Sequence, residues 1–220
     1  MLDLNGISLS DEEKNILLNP HVGGVILFTR NIITRQQVRS LCMEIASINP
    51  CLLIAVDQEG GKIQRLKEGY TILPSMRQLA LYVEKNTNQN FSFASDLGWL
   101  MASEVIASGL DISFAPVLDL DIETSSIISD RSFGKNPATV INIANAFIEG
   151  MNDAGMKATG KHFPGHGGIY ADTHLTFSVD QRSLDELQLS DLRPFQELQH
   201  KLGGIMTAHI SFPEIDNNIA

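Results

Sequence analysis

Five short, unbroken apolar runs alternate with helical stretches along the 220 residues, and four of the runs are followed within two residues by aspartate, lysine or histidine. Buried strands joined by helical crossovers, with chemistry at the C-terminal ends of several strands, predict an α/β protein of the (β/α)8, TIM-type barrel class. It is expected to be incomplete, with about five of the eight strands in the chain. A doubly wound open sheet is the competing architecture. It concentrates ligand contacts at one switch point, usually on a glycine-rich loop. Gly60-Gly61 is the nearest approach to such a loop, and no G-x-G-x-x-G or P-loop pattern occurs.

The runs are Val22–Phe28, Leu52–Val56, Ile112–Leu118, Met156–Thr159 and Gly204–Thr207. Each is continuous rather than alternating, as expected of strands covered on both faces. After the first run, Thr34 is placed to cap a helix whose apolar face is Val38, Leu41, Cys42 and Ile45, spaced i, i+3, i+4, i+7. Asn136-Pro137 reads as an N-cap followed by proline at the first helical position. Val140, Ala144, Phe147, Ile148 and Met151 then mark one face, and Gly155 marks the stop. Ser183 and Glu186 have capping-box spacing, and Pro194 is expected to divide the helical region that follows.

With 43% hydrophobic residues the chain can bury an ordinary core. The net charge of -10 repels phosphate backbones and anionic lipid, which argues against nucleic acid and membrane surfaces as partners. Met1–Gly6 has no basic segment followed by an apolar one, and no run approaches the roughly 20 apolar residues of a membrane span. Cys42 and Cys51 are expected to be buried, inert thiols rather than a disulfide or metal pair. The expectation is a cytoplasmic protein without a cofactor, acting on a small molecule.

The densest group of reactive side chains is Lys161-His162-Phe163-Pro164-Gly165-His166-Gly167-Gly168, followed by Asp172-Thr173-His174. It lies directly after the fourth run, and its proline and glycines make it a shaped loop. His162 and His166, with Asp172 and His174, could be metal ligands, but i, i+4 spacing aligns two ligands only on a helix, which Pro164 opposes. The histidines could instead satisfy loop backbone groups. In a third reading Asp172 orients His174 and adjusts its basicity for proton transfer.

The Lys161–Gly167 string with Asp172-Thr173-His174 resembles the signature of family-three glycoside hydrolases, and within them the bacterial β-N-acetylglucosaminidases of cell-wall recycling. Residues 23–31, 55–61, 113–119 and 130–133 match further pieces in the family's order across nearly the whole chain. The resemblance implies that His174 is the general acid/base and Asp172 its partner, in place of the second carboxylic acid usual in glycosidases. It implies that Asp57, Arg65, Arg131, Lys161 and His162 hold the GlcNAc unit, and that no metal takes part. Asp119 reads equally as a strand-end cap or a site residue, Glu59 has no assigned role, and His21 and His200 are expected to be solvated.

The resemblance also implies an aspartate nucleophile in a later Ser-Asp-Asp-Leu type motif, which residues 1–220 do not contain; neither Asp130 nor Asp216 matches it. Residues 1–220 are therefore expected to be one catalytic domain cut before that motif and inactive alone. They are also expected to expose strand edges near Val25 and Ile205 that invite self-association. The leading reading is a retaining enzyme that releases terminal β-linked GlcNAc from muropeptides. A non-catalytic GlcNAc-binding remnant, a family-three enzyme acting on another β-glycoside or by phosphorolysis, and a metal-dependent hydrolase are the alternatives.

Overall fold

The structure, a computed structural model, describes residues 1–86, 91–122, 127–168 and 178–216. In chain order the strands are β1 (Leu2–Asp3), β2 (Gly24–Leu27), β3 (Leu53–Val56), β4 (Gln58–Gly60), β5 (Ile63–Gln64), β6 (Ile112–Ser113), β7 (Ala158–Phe163), β8 (Ser178–Val179), β9 (Leu202–Thr207) and β10 (Ile210–Ser211). The helices are α1 (Asp11–Leu17), α2 (Arg35–Ile48), α3 (Met76–Lys85), α4 (Ser92–Ala107), α5 (Pro137–Asp153), α6 (Leu184–Leu189) and α7 (Leu192–Leu198).

The strands β1-β2-β3-β6 pair in that order, all parallel. After β6 the chain continues the series as an isolated parallel bridge, Val117 to Lys161, with Leu118 N donating to Lys161 O at 2.8 Å. β7 then pairs with β9, also in parallel. The helices between strands cover the outer face, so the C-terminal ends of β3, the 115–118 segment and β7 open on one side. This is the predicted barrel order, and Val25, Leu27, Ile54, Val56, Ala115, Val117 and Ala158 are all buried.

The caps are the ones legible in the sequence. Thr34 accepts from Gln37 N, Asn136 accepts from Ala138 N with Pro137 at the first turn, and Ser183 with Glu186 forms a full capping box. Gly155, at φ +93°, follows the end of α5. His21 and His200 are exposed.

Two expectations are corrected. Val25 is not on an edge: β1 lies against β2 with Leu2 opposite Val25, so the N-terminal residues cover that side. Pro194, by contrast, accompanies the expected division of the helical region into α6 and α7. The break falls at Ser190–Asp191, and Pro194 sits in the first turn of α7, where no intrahelical N–H bond is lost. Cys51 is exposed, whereas Cys42 is buried, with its thiol pushed up to about 12 by burial and by the charge of Asp111. Ile205 in β9 is exposed, and among the described residues β9 pairs only with β7.

Candidate active site

Asp57 directly follows β3, and the chain then turns through the β4–β5 hairpin. Gly60 and Gly61 make that turn at φ +110° and +56°. A side chain on Gly60 would meet Pro74 O at 2.3 Å, so this glycine pair serves close packing rather than phosphate binding. Within the hairpin Gln58 Oε1 accepts from both Arg65 N and Leu66 N, which brings Arg65 back beside the strand end.

Four charges from three chain segments meet at this end of the barrel. Lys161, on β7, places Nζ 2.9 Å from Asp57 Oδ1 and 2.5 Å from Glu59 Oε1. Arg131 holds Glu59 as a fork, Nε to Oε2 at 2.8 Å and Nη2 to Oε1 at 2.7 Å. Burial pushes the Glu59 carboxyl up, but the Lys161 charge and the bonds and charge of Arg131 more than reverse this and bring it down to about 2. Two carboxylates and two cations balance, which is the condition for burying such groups together.

A second node lies alongside. Asp119, fully buried, accepts from His162 N and His166 N through Oδ1, at 3.1 and 2.9 Å, and its Oδ2 lies 2.6 Å from His162 Nδ1. Burial alone would raise the Asp119 carboxyl; the His162 ring and these hydrogen bonds hold it below its ordinary value. Asp119 O also accepts from Ser132 Oγ at 2.6 Å, which ties the node to the loop carrying Arg131. The rings of His162 and His166 stand edge to face, and burial lowers the basicity of His166.

The site thus has two layers. The side chains of Asp57, Arg131 and His162 keep 19, 11 and 17% of their surface exposed, while Glu59, Lys161 and Asp119 are buried behind them. Of the residues expected from the sequence, Asp57, Arg131, Lys161 and His162 converge. Arg65 is brought to the same end, but no ion pair joins it to the cluster among the described residues, and its buried Nε has no hydrogen-bond partner there. Asp172 and His174 lie outside the described residues. Among the described residues no group of three or more His, Cys, Asp or Glu is placed to hold a metal ion.

Two central residues were unassigned in the sequence. Glu59 is two positions beyond Asp57, on the same face of an extended segment, and that spacing was the available signal. Asp119 occupies a strand end, like Asp57. An exposed face of one carboxylate, one guanidinium and one imidazole is suited to recognising the hydroxyls of a small polar ligand.

The profile of the glycosyl hydrolase family 3 N-terminal domain matches residues 1–220. The chain is 50% identical over 216 residues to a β-hexosaminidase of Pseudomonas aeruginosa, covering 98% of this chain and 64% of that protein. The crystal structure of NagZ from Neisseria gonorrhoeae in complex with N-trifluoroacetyl-D-glucosamine superposes with a TM-score of 0.94 at 43% identity, over 98% of this chain and 64% of that one. A family 3 β-N-acetylglucosaminidase from Paenibacillus gives 0.91 at 32% identity, over 99 and 41%. The chain spans somewhat less than two thirds of the length of the first two relatives. It belongs to glycosyl hydrolase family 3, whose N-terminal domain is a TIM-barrel-like α/β fold.

Proposed function

We propose that the protein is a retaining β-N-acetylglucosaminidase that removes terminal β-linked GlcNAc from peptidoglycan-derived muropeptides during cytoplasmic cell-wall recycling. The observation that carries this reading is the convergence of Asp57, Arg131, Lys161 and His162 at the strand ends, in a chain whose relatives are β-hexosaminidases. Asp57 accepts from sugar hydroxyls, and Arg65, Arg131 and Lys161 donate to hydroxyl or carbonyl oxygens. An aspartate attacks the anomeric carbon while His174, oriented by Asp172, protonates the leaving oxygen. The same histidine then activates the water that releases GlcNAc with retention. Residues 1–220 act in this reading as one catalytic-domain unit, and the exposed stretch at Ile205 is where a second chain would pair if the protein self-associates.

The test is release of 4-methylumbelliferone from its β-GlcNAc glycoside by the full-length protein. Loss of the proton donor in His174→Ala should lower turnover by about 10²–10⁴-fold. Undiminished turnover in that variant overturns the assigned role, and a sugar phosphate formed only when phosphate is present overturns hydrolysis.

A further inference from the structure

We propose that Asp119 is the positioning residue of the sugar site: it holds the His162 imidazole as the Nδ1–H tautomer and so presents Nε2 as a hydrogen-bond acceptor to a sugar hydroxyl. This inference deepens the saccharide reading and rests on it.

Asp119 is fully buried, and its Oδ1 takes two backbone N–H groups, those of His162 and His166. Its Oδ2 is left for His162 Nδ1, 2.6 Å away. An ionised carboxylate only accepts, so the ring nitrogen facing it carries the proton. In the neutral ring Nε2 is then the acceptor. That atom has no hydrogen-bond partner among the described residues, and the side chain keeps 17% of its surface exposed. Bonds from one carboxylate to a ring, to the amide of the same strand residue and to an amide of the loop that follows fix both the orientation of the ring and the path of the backbone beneath it. A sugar hydroxyl that donates to Nε2 can still accept from a neighbouring cation, so the site distinguishes the two hydrogen-bonding roles of that hydroxyl.

Asp119→Asn inverts this arrangement with little change in volume. The two backbone N–H groups need an oxygen, so the amide keeps its carbonyl on them and turns its NH₂ toward His162. Nδ1 must then accept, and the proton moves to Nε2. The measurements are ring-nitrogen NMR of histidine-labelled protein, which reads the protonation of each ring nitrogen directly, with calorimetry of GlcNAc binding. The expected result is a protonated Nδ1 and bare Nε2 in the wild type, the reverse in Asp119→Asn, and GlcNAc affinity lower by about ten-fold in the variant, the loss of one hydrogen bond. The backbone amide signals of the barrel strands report whether the variant remains folded. Should it unfold, a second variant, His162→Phe, keeps a planar ring without Nε2 and should show the same loss of affinity. A bare Nδ1 in the wild type overturns the proposal, as does unchanged GlcNAc affinity once the tautomer has reversed. A wild type with the stated tautomer that takes up no GlcNAc overturns the saccharide reading instead.

Discussion

Replacing Glu59 by glutamine removes one charge and almost no volume from the centre of the site. Glu59 is 2% exposed and carries the Arg131 fork and the Lys161 ion pair, so the variant leaves two enclosed cations facing Asp57 alone. Breaking a buried pair from one side costs about 3–5 kcal/mol. The titration leads to the same magnitude. The carboxyl sits at about 2 in the folded protein against an ordinary 4.5, a difference of about 2.5, which corresponds to about 3 kcal/mol. Because the folded value is the lower one, this stabilisation is complete above pH 4.5 and is lost as pH falls toward about 2. Urea unfolding of wild type and Glu59→Gln should therefore differ by about 3 kcal/mol at neutral pH, with the gap narrowing on acidification. A difference below about 0.5 kcal/mol at neutral pH, or a gap that does not narrow, would show that Glu59 is not held by its two cations as described.

Two further outcomes follow from packing and exposure. Gly150→Ala should destabilise by an amount near the upper end of about 1–3 kcal/mol in thermal unfolding, because its new Cβ would lie 1.9 Å from Ser95 O where α5 meets α4; an unchanged melting temperature contradicts this packing. A thiol reagent should modify Cys51 rapidly in the native protein and Cys42 only after denaturation, since burial holds the Cys42 thiol at about 12; rapid reaction of both would show that α2 is not packed as described.

Features specified within a few residues were legible in the sequence. Thr34, Asn136-Pro137 and Ser183–Glu186 are local caps, and each forms as read. The parallel order was legible because runs buried on both faces need helical crossovers. β1 was not, because two residues carry no period, and its pairing partner is more than 20 positions away. The division near Pro194 was legible, but the position of the break was not, because a proline symbol does not reveal which turn of the following helix it occupies. The site shows the same division. Asp57, Arg131, Lys161 and His162 were recognised by resemblance to a family. The supporting carboxylates were not, since Glu59 lies 72 positions from Arg131 and Asp119 lies 43 from His162, and burial, rather than residue type, makes them supports.

Under the proposed function, the strand-end cluster is the saccharide site. Titration of GlcNAc into isotope-labelled protein, followed residue by residue in NMR, tests it most directly. Saturable shifts are expected to concentrate at Asp57, Arg65, Arg131, Lys161 and His162 and to be abolished by Lys161→Met, which removes the cation shared by Asp57 and Glu59. Saturable shifts confined to the opposite end of the strands, or binding that survives Lys161→Met unchanged, would contradict it.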